Sequence, residues 1–156
     1  MNDVILACAV GIGVVAGLRS LLAPAVVAWA AHLGWLHLQG TPLSFMGSKV
    51  ALIIFSLLAI GELIGDKLPK TPKRTAVTPL LARMITGGVC GACICVSANQ
   101  SLGIGAVLGA IGAVMGAFAG YEIRKRLVMQ LKAPDFFIAL AEDLIAISLA
   151  LLLVSR

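Results

Sequence analysis

Hydrophobic residues in this chain neither alternate with polar ones nor recur once per helical turn. They fill long stretches almost completely, at roughly residues 4–34, 50–66, 79–98, 102–121 and 134–155. A helix needs ~20 apolar residues to cross the hydrocarbon of a bilayer, and the stretches approach or exceed that length. Lipid offers backbone amides no hydrogen-bond partner, so a spanning chain forms helices or a closed barrel, and unbroken apolar runs select helices. The pattern predicts an all-α, polytopic membrane helix bundle of about five transmembrane segments, with residues 1–156 as a single integral membrane domain and no linker.

The first stretch is the exception. As one straight helix it would be about 46 Å long at 1.5 Å per residue, against a hydrocarbon core of ~30 Å. Gly17, Arg19, Ser20 and Pro24 cluster near its middle, and a proline inside a helix removes a backbone hydrogen bond. The segment is expected to be broken or kinked near Arg19/Pro24. Whether it spans or is re-entrant stays open.

Composition reinforces the membrane assignment. Of 156 residues, 60% are hydrophobic and 12% charged, with a mean hydropathy of +1.06, more apolar surface than a soluble domain of this length hides. The net charge of +5 is concentrated in two connections. Residues 67–78 read Lys-Leu-Pro-Lys-Thr-Pro-Lys-Arg-Thr-Ala-Val-Thr, and residues 122–133 carry Arg124, Lys125, Arg126 and Lys132. Basic connections encode orientation by remaining cytoplasmic, so the charge does not point to nucleic acid. Two spans between them put both on one side, with the turn at 97–101 and the connection at 34–48 opposite. Trp29 and Trp35 suit an interfacial belt. Five spans place the N-terminus inside and the C-terminus outside, and a re-entrant first segment would move only the N-terminus. Asp3 and the absence of a basic leader argue for a retained N-terminus. The expected location is a bacterial cytoplasmic (inner) membrane.

Charges inside the apolar runs are costly and normally face the bundle interior, where they pair or line a polar path. Arg19 lies near the centre of the first stretch, and Glu142 and Asp143, near mid-depth in the last, are its natural counter-charges. Glu62 and Asp66, spaced i, i+4, share one face of the second span. Arg83, one turn into the third, can reach the same level or snorkel outward. Two arginines then face three deep carboxylates, Glu62, Glu142 and Asp143. The remaining acid would be proton-bound or hold a cation, as a coupled carrier requires. The alternative is a buried polar network that fixes helix register.

Gly105, Gly109, Gly112, Gly116 and Gly120 recur every three or four residues, a small-residue face that lets helices approach closely within one chain or across a homo-oligomer. Gly87, Gly88 and Gly91 offer a similar face. Cys90, Cys93 and Cys95 lie in an apolar helix without a nearby histidine and read as small hydrophobes rather than metal ligands. His32 and His37 read as interfacial. No nucleophile triad, phosphate loop or dinucleotide fingerprint is present, so no enzyme, metal site or cofactor is expected. A short echo links Gly13-Val-Val-Ala-Gly-Leu-Arg19 with Gly116-Ala-Phe-Ala-Gly-Tyr-Glu-Ile-Arg124. Both are glycine-spaced segments running into an arginine, and such a repeat would suggest a duplicated, carrier-like architecture.

Three segments carry a resemblance across nearly the whole chain: Gly17-Leu-Arg-Ser-Leu-Leu-Ala-Pro-Ala-Val-Val, Gly61-Glu-Leu-Ile-Gly-Asp-Lys-Leu-Pro-Lys-Thr-Pro and Ala141-Glu-Asp-Leu-Ile-Ala-Ile. In order and content they resemble a bacterial membrane-protein family catalogued as domain of unknown function 4126, which implies a small integral membrane protein. Separately, Glu62-Leu-Ile-Gly-Asp-Lys67 is similar to the Glu-x-Gly-Asp-Lys/Arg-Ser/Thr signature of a family of manganese and calcium cation/proton exchangers. One residue is inserted here, and Leu68 stands in place of the hydroxyl residue.

These readings lead to a transporter or channel-like protein for a small solute or cation, with Arg19, Glu62, Asp66, Arg83, Glu142 and Asp143 as its polar centre. The competing reading is a membrane scaffold or accessory subunit whose buried charges are structural. Membrane lipids are the expected partners, with a second copy of the chain possible.

Overall fold

The computed structural model describes residues 2–65, 76–131 and 135–155, and among these there is no strand. Six α-helices follow one another: α1 (Asn2–Leu18), α2 (Leu22–His32), α3 (Lys49–Gly65), α4 (Val77–Ser97), α5 (Leu102–Leu131) and α6 (Asp135–Val154), with a 3-10 turn at Ser44–Gly47 before α3. Helices α4, α5 and α6 are long and apolar enough to cross a membrane, while α1 and α2 are shorter apolar helices. The expectation of about five segments therefore changes at the first stretch, which is two helices.

Pro24 explains where the break falls. Its ring excludes the carbonyl four residues earlier, that of Ser20, from a continuing helix. The last helical bond of α1 runs from Arg19 N–H to Val15 O (2.8 Å), and the first of α2 from Ala25 N–H to Leu21 O (3.2 Å). Pro24 itself sits in the first turn of α2, where no N–H is needed. It begins the second helix rather than kinking a continuous one.

Residues 19–21 also reverse the chain. Val10, Val14 and Gly17 of α1 pack in ascending order against Gly112, Gly116 and Ala117 of α5, so these helices run parallel. The start of α1 (Val4, Cys8) shares a cavity with Leu36, Ser97 and Val154. Helix α2 returns toward that end, where His32 Nδ1 lies 3.1 Å from Gly47 O. There Gly34, at φ +80°, closes the helix with bonds from Gly34 N–H to Ala31 O and Trp35 N–H to Ala30 O. The start of α1 and the end of α6 thus lie at one end of the bundle, whereas five spans would place them at opposite ends. The segments joining α3 to α4 and α5 to α6 leave from the other end, here called the basic end.

Helix α1 is the centre, with Ala9, Ile12, Val15 and Ala16 wholly buried, and α2, α4, α5 and α6 surround it. Its contact with α4 and α5 is set by glycine. A methyl group built on Gly13 of α1 or Gly87 of α4 would run into the carbonyl of Gly109 on α5. The three backbones therefore meet at one point that admits no side chain. Gly105 faces Gly91 and Gly112 faces Val10 in the same way, so this part of the small-residue stripe packs within the chain. Helix α3 is peripheral, burying only Ala51 and Ala59 and exposing Val50, Ile53, Leu57 and Ile64.

Basic residues 124–126 were expected in a connection. They lie on α5, which continues to Leu131 because nothing between Gly120 and Leu131 breaks a helix.

Candidate functional site

Breaking a helix among apolar neighbours leaves backbone groups that lipid cannot satisfy. At the α1–α2 tip, Ser20 and Leu21 lie beyond the last bond of α1, and their N–H groups have no helical acceptor. Glu62, reaching from α3, takes both. Ser20 donates to Glu62 Oε1 through its N–H (2.8 Å) and its hydroxyl (2.6 Å), and Leu21 N–H donates to Oε2 (2.8 Å). On the other side of the break, Arg83 of α4 donates through Nη1 to the carbonyl of Gly17 at 2.6 Å. An anion thus meets the positive end of α2 and a cation the negative end of α1, so each helix dipole finds its complement. Arg83 is buried and turned inward rather than snorkelling.

Arg19, between these two caps, is wholly buried. Its Nε donates to Asp143 Oδ1 of α6 at 2.7 Å, and its Nη2 contacts the same oxygen. Glu142, expected beside Asp143 as a second partner of Arg19, has Arg124 of α5 beside it, with Oε2 3.8 Å from Nη1. One residue along a helix turns a side chain by about 100°, which points the two adjacent acids in different directions.

The charge count changes accordingly. Arg19 and Arg124 each meet a carboxylate, Arg83 caps a helix C-terminus, and Glu62 caps a helix N-terminus through neutral donors. Glu62 is therefore the deep acid without an arginine beside it among the described contacts. It is half-buried. Asp66, its expected companion on the same face, lies outside the described residues.

Sequence reasoning missed two participants. Ser20 was visible as a hydroxyl residue four positions before Pro24, where the helix has to restart. Arg124 continues the glycine face at i+4 from Gly120, a spacing that places it on the bundle side of α5 rather than in a connection.

The remaining candidates lie apart from the tip. Cys90 and Cys93 are in the apolar core of α4, and Cys95 is buried facing Gly105. Among the described residues no three His, Cys, Asp or Glu side chains gather as a metal site. His32 and His37 line a cavity of about 570 Å³ with Gln39 and Ser48 at the end that holds the termini. His37 N–H there donates to Ser97 Oγ at 2.8 Å. Trp29, placed in an interfacial belt by the sequence, donates its ring N–H to Ser56 Oγ (3.0 Å), partway along α3.

The chain belongs to the family described as domain of unknown function (DUF4126), whose model it matches over residues 6–155. This is the family that the segments around Arg19, Glu62 and Glu142 resemble. No curated protein and no solved structure matches the chain.

Proposed function

We propose that this chain is a small integral membrane protein that carries a small solute or cation, with the tip of the α1–α2 hairpin as its working part. Membrane carriers commonly bind ions and substrates where interrupted helices present their ends inside the bilayer. The observation that carries the reading is Glu62 on the N–H groups of Ser20 and Leu21. When the carboxylate is ionised it holds the positive end of α2 to α3. Protonation, or a cation on Glu62, cancels that attraction. Arg19 and Arg83 then still fix the end of α1, while the start of α2 is free to part from α3.

In this reading the basic segments at residues 67–78 and 122–133 face the cytoplasm of a bacterial inner membrane, and both termini lie outside. A homo-oligomer remains compatible, with the lipid-facing side of α3 as the surface for it. Cysteines placed at Thr71 and Asn99 test the orientation, because labelling of both from the same side overturns it.

Function is tested with purified protein in liposomes under a proton gradient, following ion and proton flux. The expected outcome is flux in the wild type that is lost in Glu62→Gln. Flux that is unchanged in Glu62→Gln, Glu142→Gln and Asp143→Asn alike discards the coupled-carrier reading. The second reading, a scaffold or accessory subunit, is favoured by the burial of the Arg19–Asp143 contact, since a buried pair suits register better than passage. It expects no flux in any variant, and lower thermal stability in all three.

A further inference from the structure

Helix α6 packs mainly on α1 and α2, and α5 on α1 and α4, so α5 and α6 touch one another only sparsely. Between them, on the basic-end side of the hairpin tip, lies an open cleft of about 400 Å³, within the roughly 300–1,000 Å³ of small-molecule sites. Leu18 at the end of α1, Ile123 and Leu127 of α5, and Phe137, Ile138 and Ile145 of α6 form its walls, and Glu142 is the one polar residue among its described lining. Gly120 and Ala141 give it depth because they fill so little of it.

The cleft is apolar inside and basic at its edge. Gly120, Ile123, Arg124 and Leu127 share one face of α5 by helical spacing. Arg124 therefore stands beside the cleft, with its guanidinium drawn across by Glu142. Lys125 is exposed next to it, and Arg126 is engaged by Glu122 at 3.0 Å. At 30 residues, α5 is about 45 Å long and overshoots a ~30 Å hydrocarbon core. If its first 20 or so residues cross the core, Arg124 and Lys125 emerge at headgroup level.

We propose that this cleft holds one acyl chain of an anionic phospholipid, whose phosphate rests on Arg124, with the exposed Lys125 adding positive charge at headgroup level. Hydrocarbon walls select the chain, and the two cations select a negative headgroup over a zwitterionic one. Glu142 keeps Arg124 over the cleft instead of out in water. The site is independent of whether the chain transports anything.

Native mass spectrometry of the full chain in detergent, titrated with phosphatidylglycerol or with phosphatidylcholine of identical acyl chains, tests this. The expected result is one retained phosphatidylglycerol per chain, bound roughly tenfold or more tightly than phosphatidylcholine on the strength of two cations. Ala141 is exposed, so Ala141→Trp fills the cleft from its open side without disturbing the core. It should lower retention of both lipids about tenfold, with helical content unchanged by circular dichroism. Replacing both cations (Arg124→Gln with Lys125→Gln) should abolish the preference between headgroups while leaving phosphatidylcholine retention unaltered. Equal retention of the two lipids by the wild type overturns the proposal, as does unchanged retention in Ala141→Trp. A dimer that Ala141→Trp splits overturns it too, by assigning the cleft to a second copy of the chain.

Discussion

Glu142 and Asp143 are neighbours on α6, and each meets an arginine that ends a glycine-spaced segment, yet the two pairs differ in almost every physical respect. Arg19 and Asp143 have side-chain exposures of 0% and 7% and are joined by a hydrogen bond of 2.7 Å. Arg124 and Glu142 have side-chain exposures of 19% and 14%, with Nη1 3.8 Å from Oε2. The difference teaches that depth, not residue type, decides what an ion pair does here. A buried pair is tolerable only while both members are present, because losing one leaves an uncompensated charge in a medium that cannot solvate it. A pair at the edge of a cleft can exchange its partner for water or a headgroup at little cost.

The sharpest way to break this contrast is Asp143→Asn, which leaves Arg19 buried against a neutral amide. The expected loss is about 3–5 kcal/mol, read as a shift in unfolding of detergent-solubilised protein. A loss below about 1 kcal/mol would mean that water reaches the Arg19 guanidinium. Gly109→Val comes next, at about 2–3 kcal/mol, because its side chain would separate α1 and α4 from α5 and pull Arg19 away from Asp143. Stability unchanged by this substitution would remove glycine contact as what seats the hairpin. Glu62→Gln is smaller, about 1–2 kcal/mol, since the amide oxygen still accepts from the tip while the charge facing the α2 dipole is lost. An equal loss in Glu62→Ala would mean that the hydrogen bonds contribute nothing beyond the charge.

Much of this is legible in the sequence. Long apolar runs locate α3 to α6 to within a residue or two at most ends, because burial in lipid leaves no periodicity to misread. Pro24 and Arg19 mark the discontinuity. The chain reversal there was not decided, since a kink and a hairpin share the same local residues. Only the distant partners distinguish them, with Glu62 on the N–H groups after the break and Arg83 on the carbonyl before it. Arg124 beside Glu142 stayed out of view for the same reason, as helical rotation alone does not say which neighbours stand on either side. Arg124 was hidden by its basic surroundings. Three consecutive cations look like a connection, whereas the uninterrupted glycine spacing from Gly105 to Gly120 already argued for a continuing helix.

The smallest expected effect sharpens the comparison most finely. Arg124→Gln removes the cation across from Glu142 but leaves that carboxylate partly exposed, where water can replace the guanidinium. The loss should stay within about 0–1 kcal/mol, as for other accessible ion pairs, and it should shrink further as salt is raised. The same substitution in an Asp143→Asn background should add its own small increment, because the two pairs face different helices and share no described partner. A coupling of more than about 1 kcal/mol between the two would show that the adjacent acids act as one network, with the rotation between them failing to insulate the tip of the hairpin from the cleft.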